Sequence, residues 1–194
     1  MTATLAKVIW GVALVAWYLI RYPHARRARR NQIARDRRGL VENTLLMTSA
    51  TGLFFVPFTY VVSGFPRFAD YAFAPAQGWL GGLVFAASLW LFHATHRDLG
   101  RNWSISLRVR EGHKLVTEGV YRYVRHPMYA AFWLWAIAQC LLLPNWIAGP
   151  AGLVGFGTLF FGRVGREEDL MIESFGEDYR AYMRSTARIV PWVY

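Results

Sequence analysis

Cysteine is almost missing from this chain: Cys140 is the only one in 194 residues. An internal disulfide is therefore excluded, and a thiolate-based metal cluster has no support. Charge is sparse as well. Asp, Glu, Lys and Arg make up 18% of the residues, below the roughly 25% of ordinary soluble domains. Acidic residues are the scarcer kind, 12 against 22 Lys and Arg, for a formal net charge of +10. No G-x-G-x-x-G occurs, so nothing marks the phosphate loop of a dinucleotide-binding fold.

What is present is apolar. Hydrophobic residues make up 55% and aromatics 16%, and the mean hydropathy is +0.20. A soluble protein this small has too little interior to hide so much apolar side chain, so the composition points to an integral membrane protein. The positive charge sits in short blocks between apolar runs, which argues for topology signals and anionic headgroups rather than nucleic acid. The Arg cluster follows the first apolar segment instead of preceding it, so that segment is expected to be retained rather than cleaved.

Five apolar stretches are long enough to matter. The first, about Thr2 to Ile20, has Lys7 as its only charge and Trp10, Trp17 and Tyr18 as candidate interfacial anchors. Eight arginines follow within residues 21–38. The second runs from Asn43 to Pro66, where Pro57 is expected to kink the helix. The third runs from Gly78 to His96, with Gly78, Gly81 and Gly82 suited to close helix approach. His93 and His96, three positions apart, share a helical face, but no third metal ligand stands at matching spacing. Residues 97–126 are polar, and Trp103–Val109 alternates like a short strand. Residues 127–162 are uncharged and too long for one helix; Pro144-Asn145 and Gly149-Pro150 divide them into 127–143 and 146–162, expected to form a tight hairpin. The motif F-G-E-D-Y-R-A-Y-M-R-S-T then starts an amphipathic C-terminal helix.

The charges test this topology. Five spans gather residues 21–41, 97–126 and 163–194 on one side, leaving only Lys7 and Arg67 of the Lys and Arg residues across the membrane. The positive-inside rule makes the basic side cytosolic and the N-terminus external. The expected fold is thus a single all-α membrane domain over residues 1–194. Three transmembrane helices and a basic cytosolic loop (21–41) fill residues 1–96, and a cytosolic cofactor-binding region, the hairpin and the last helix follow in 97–194.

Two polar clusters face that cytosolic side. One is His113–Tyr129; the other is R-V-G-R-E-E-D, Arg163 to Asp169, where the last apolar segment ends. Arg163 and Glu167, four apart, lie on one helical face, and ionisable groups at the end of an apolar helix are functional candidates.

The patterns H-x-L-V-T-x-G-V-Y-x-x-x-R-H-P-x-Y, R-x-x-x-E after the hairpin, and F-G-E-D-Y-x-x-Y occur here in that order. Together they resemble the catalytic region of isoprenylcysteine carboxyl methyltransferases and their phospholipid methyltransferase relatives, over about residues 97–191. The resemblance implies an S-adenosylmethionine-dependent enzyme that esterifies the carboxylate of a prenylcysteine-like lipophilic acceptor and releases S-adenosylhomocysteine, at the cytosolic face of a membrane. It implies that His113, Lys114, Leu115, Val116, Tyr121, His126, Pro127, Met128 and Tyr129 form the cofactor pocket. Glu167 would hold the cofactor's polar end and Arg163 would face the acceptor carboxylate, making Arg163 and Glu167 the catalytic pair. No metal is implied. Eukaryotic members have further membrane helices, a departure that bears on the natural acceptor. The rival enzyme readings are a phospholipid N-methyltransferase and a sterol-type membrane reductase. The rival outside enzymes is a scaffold or lipid-binding protein using the basic block 21–38.

Overall fold

The apolar stretches form helices because their backbone groups bond internally, which a hydrocarbon setting demands. The computed structural model describes residues 1–30, 39–100 and 115–191. Trp103–Val109, His113 and Lys114, and residues 31–38 of the basic block, lie outside the described residues.

Helix α1 covers Ala3–Arg30, α2 Leu40–Ala50, α3 Val56–Ser63, α4 Pro75–Leu99, α5 Pro127–Leu142, α6 Ala151–Phe175 and α7 Glu177–Ser185. Among the described residues there is no strand, only two isolated β-bridges. Three helical stretches, Ala3–Arg26, Leu40–Ser63 and Pro75–Leu99, are long and apolar enough to cross a membrane. The apolar α5 is shorter, at 16 residues.

Pro57 acts as its chemistry requires. Lacking an N–H, it leaves the carbonyl four residues back without its usual donor. The preceding turn, Thr51–Phe55, opens into a π-helix that links α2 to α3. Gly64 then closes α3 in the left-handed region, at φ 72°.

The second half of the 127–162 stretch begins later than its sequence suggests. Residues 146–150 are turn, and α6 starts at Ala151. Asn145 accounts for this: its Oδ1 accepts the N–H groups of Ile147 and Ala148 at 3.0 and 2.9 Å, holding them out of a helix. Its Nδ2 donates to the Pro66 carbonyl and to Asp70 at 2.7 and 2.8 Å, tying the turn to the α3–α4 connection. Gln139 does the same from α5, donating to the carbonyls of Gly52, Ala148 and Gly149. The other end of α6 runs past the apolar stretch without a break, carrying Arg163 to Asp169 on the same rod.

Packing centres on Trp135 of α5, 1% exposed, with Phe85, Phe54 and Trp17 rings 4.7, 5.3 and 5.8 Å away. Gly78 and Gly81 do lie in tight contacts, against Phe73 and Leu141, but Gly82 faces open space. The closest helix approach lies elsewhere. A Cβ on Gly52 would sit 2.1 Å from the Ala151 carbonyl oxygen, and one on Gly155 2.6 Å from that of Thr48. His93 and His96 differ in surroundings despite their spacing: His93 is exposed, whereas His96 is buried with Nδ1 2.8 Å from the Phe92 carbonyl.

Candidate active site

The polar stretch is shaped first by local backbone demands. Gly119, at φ 63°, has no room for a side chain: a Cβ there would lie 2.1 Å from Asp98. That carboxylate accepts the N–H of Val120 at 2.9 Å and so starts the 3-10 turn Gly119–Arg122 from the end of α4. Tyr121 is consequently buried in a small cluster with Ala94, Val120, Leu91, Leu99 and Val116. Burial pushes its phenol well above the usual range, and the Glu167 carboxylate adds to the shift. The Tyr121 carbonyl accepts the hydroxyl of Tyr182 from α7.

Residues 124–126 then pair with the chain's last described segment, Val124 forming an isolated bridge with Ala187. Arg125 and His126 donate their backbone N–H groups to the carbonyls of Ala187 and Arg188, at 2.8 and 3.0 Å. His126 and Pro127 are buried at the start of α5, Pro127 occupying the first helical turn, where no N–H is needed. Tyr129 follows on the same end of α5. Its ring stacks on His126 at 5.4 Å and its hydroxyl donates to Oε2 of Glu167 at 2.5 Å.

Glu167 and Glu168 are successive on α6, so their side chains leave the helix about 100° apart and serve different partners. Glu168, with 5% of its side chain exposed, takes Arg125 at 2.9 Å, Arg188 at 2.6 Å and His126 Nε2 at 3.2 Å. A carboxylate only accepts, so Nε2 of His126 carries the hydrogen. Burial opposes the charge on Glu168, but hydrogen bonds from His126, Arg188 and Arg125 outweigh it and hold the carboxyl near 2. Glu167 is more open, at 29%, with Arg163 Nε 3.7 Å and His126 Nδ1 3.9 Å away. Arg163 has a second carboxylate, Glu42 of α2, at 3.8 Å.

Residues 79–173 match the sequence model of the isoprenylcysteine carboxyl methyltransferase (ICMT) family. Over that segment, just under half of its length, the chain is similar to the isoprenylcysteine carboxyl methyltransferase family. It is 38% identical over 96 residues to protein-S-isoprenylcysteine O-methyltransferase B of Arabidopsis thaliana, covering 48% of this chain and 49% of that protein. To the Dictyostelium discoideum enzyme it is 35% identical over 89 residues, covering 44% and 36%. To the human enzyme it is 35% identical over 81 residues, covering 42% and 28%. The matches thus span about half the length of these curated relatives, or less. A solved structure of the eukaryotic intramembrane Ras methyltransferase ICMT aligns with 97% of this chain and 68% of its own, with a TM-score of 0.62 at 19% identity. That likeness extends the shared fold beyond the family segment, to the helices before Trp79.

Of the residues that the isoprenylcysteine carboxyl methyltransferase pattern singles out, His126, Tyr129, Arg163 and Glu167 converge where the start of α5 meets the second half of α6. Pro127 is buried beside them, and Tyr121 and Val116 form the neighbouring apolar wall. Leu115 and Met128 are half-buried. The motif reading missed Arg125, Glu168, Arg188 and Glu42. Arg125 and Glu168 stand inside the quoted motifs, and the doubled Glu167-Glu168 on one helix was a usable signal for two separate partners. Nothing in the sequence connects Arg188 or Glu42 to them.

Proposed function

We propose that this protein transfers a methyl group from S-adenosylmethionine to the carboxylate of a prenylcysteine-like acceptor, at the cytosolic face of a membrane. The observation that carries the reading is Glu167. Its carboxylate takes one hydroxyl donor among the described residues, from Tyr129, while Nε of Arg163 and Nδ1 of His126 stay at 3.7 and 3.9 Å. It therefore keeps negative charge to offer to the cationic end of such a cofactor, and the donor set fits the group. The apolar Tyr121–Val116 wall and buried Tyr129 suit its uncharged parts; His113, Lys114, Leu115, His126, Pro127 and Met128 complete the assignment by the family pattern.

Bound S-adenosylmethionine supplies an electrophilic methyl, which passes to a carboxylate oxygen as the sulfur–carbon bond breaks. An acceptor carboxylate is already ionised near neutral pH, so none of these residues has to remove a proton. The chain's task is to hold both reactants in line, roughly 3–3.5 Å apart, with water excluded. Arg163 presents donors that orient a carboxylate, and Tyr129 and His126 fix Glu167. The acceptor's carboxylate reaches Arg163 with its prenyl tail in the lipid, while the cofactor arrives from water. In this reading α5 and the apolar part of α6 form a hairpin that completes five crossings, with the N-terminus outside and residues 97–194 as the catalytic region. The named activities of the relatives and the shared order of motifs support it.

The test is transfer of labelled methyl by the purified protein in detergent or nanodiscs, with N-acetyl-farnesylcysteine and phosphatidylethanolamine offered in parallel. Base-labile label on the prenylcysteine is expected. Label on the amine lipid alone would transfer the assignment to an N-methyltransferase, and binding of NADPH without S-adenosylhomocysteine would favour a reductase. Arg163→Ala and Glu167→Ala are each expected to lower kcat/KM at least about 100-fold, the effect of removing a charged group from a reacting site.

A further inference from the structure

The family segment starts at Trp79, so α2 lies outside it. Yet α2 brings a carboxylate to the guanidinium of Arg163. Glu42 sits in the first turn of α2, with Oε1 3.8 Å from Nη1 of Arg163. Nε of the same guanidinium lies 3.7 Å from Oε2 of Glu167. Both separations exceed hydrogen-bond length, so two carboxylates attract the guanidinium by charge while neither takes a donor. Nε of Arg163 and Oε1 of Glu42 are buried atoms without a hydrogen-bond partner among the described residues.

The register that brings them together is fixed along the whole length of α2. Where Gly52 meets the backbone of Ala151, Gly155 meets that of Thr48, and Gly162 meets the side chain of Leu45, the two helices run antiparallel in close contact. Glu42, one turn before Leu45, is thereby carried to Arg163, one residue beyond Gly162. A helix that approached less closely would leave Arg163 to fold back onto Glu167 alone, its i+4 neighbour.

We propose that Glu42 is a positioning residue of the acceptor subsite: it holds Arg163 off Glu167 from the α2 side and offsets part of its charge, so that an acceptor carboxylate is oriented without being gripped. The proposal rests on the carboxyl methyl-transfer reading. Binding that is equally strong in ground and transition states does not speed the chemical step. A guanidinium shared among three carboxylates holds the acceptor more loosely than one shared between two.

The experiment compares wild type, Glu42→Gln and Glu42→Asp with labelled S-adenosylmethionine and N-acetyl-farnesylcysteine. With Gln the acceptor KM and kcat are each expected to fall about threefold, because the ground state is bound more tightly while the transition state is not. Affinity for S-adenosylhomocysteine is expected to stay within about twofold, since the change is on the acceptor side. The Asp variant, which keeps the charge on a shorter arm, is expected to recover both parameters towards wild type, and Glu42→Ala, which also removes the charge, repeats the test if the Gln protein does not fold. Unchanged parameters, a fall in kcat with KM unmoved or raised, or no recovery with Asp would each overturn the proposal. A wild-type protein that methylates no prenylcysteine would refute the carboxyl methyl-transfer reading itself, and this proposal with it.

Discussion

At the scale of the residue, the hydroxyl of Tyr129 links the two halves of the site. It belongs to α5, next to His126, and it is the one hydrogen-bond donor seen on Glu167 among the described residues. Removing it leaves the ring packing against Phe160 at 5.4 Å intact, so Tyr129→Phe isolates the hydrogen bond. A bond to a charged acceptor is worth about 1.5–3 kcal/mol, and each ~1.4 kcal/mol is a factor of ten in rate. Tyr129→Phe is therefore expected to lower kcat/KM by about 10- to 100-fold in the methyl-transfer assay. A variant as active as wild type would show that Glu167 needs no fixing from α5. Tyr129 and Glu167 were legible as site residues because both stand in motifs. Their bond was not, since nothing in a sequence fixes which carboxylate of a Glu-Glu pair turns towards α5.

At the scale of the element, α6 serves three neighbours at once: glycines towards α2, Glu167 towards α5, and Glu168 towards the C-terminal segment. The carboxylate of Glu168 gathers Arg125, His126 and Arg188, and Arg125 also donates to the carbonyls of Met183 at 3.1 Å and Thr186. The residues after α7 are thus pinned to the start of α5 through one buried charge. The folded carboxyl lies near 2, below its usual value of 4.5. A group depressed in this way contributes stability that is fully present above the unfolded value and lost as pH falls through the folded one. The difference corresponds to about 3 kcal/mol, lost between roughly pH 4.5 and 2. Glu168→Gln is expected to cost about 3–5 kcal/mol at neutral pH, since it leaves Arg125 and Arg188 without their shared anion. In a detergent-solubilised protein this reads as a lowered thermal midpoint and earlier proteolysis near residues 183–188. The acid-induced loss seen in wild type between those pH values should shrink correspondingly. The glycines give the second test. Gly52→Ala is expected to destabilise by about 2–4 kcal/mol, because a Cβ 2.1 Å from a backbone oxygen has nowhere to yield. Gly82→Ala, in open space, is expected to be neutral or stabilising by about 0.5–1 kcal/mol. Sequence spacing pointed at Gly78, Gly81 and Gly82 because they cluster; the contacts that decide the matter depend on which helix lies opposite, and periodicity carries no such information.

At the scale of the whole molecule, hydropathy and charge read the helices well, because membrane helices must satisfy their own backbone and each apolar run is bounded by arginines or prolines. The boundaries drifted where a side chain competes for backbone donors, as Asn145 does ahead of α6. The candidate site was legible where it is local in sequence, from His126 to Tyr129 and from Arg163 to Glu167, and illegible where a distant segment supplies the partner, as with Glu42 and Arg188. The remaining whole-molecule claim is sidedness. If five crossings hold, Arg67 and Trp146, in the α3–α4 and α5–α6 connections, share the outer face, and Arg166, Arg180 and Arg184 share the inner one. Two structural ties hold those connections together at one end of the helices: Trp146 donates its backbone N–H to Ala69 at 2.9 Å, and Asn145 bonds Pro66. Replacing Cys140 by Ala frees the chain of cysteine, and single cysteines can then be installed at positions 67, 146 and 184. In sealed vesicles of known orientation, a membrane-impermeant maleimide is expected to label positions 67 and 146 from the outside, and 184 only after permeabilisation. Labelling of 67 and 184 from the same side would remove one crossing between them and, with it, the cytosolic placement of Arg163 and Glu167. Labelling of all three positions in the opposite sense would keep the helices and reverse the orientation, against the positive-inside rule as the five-crossing reading applies it to 20 of the 22 Lys and Arg residues.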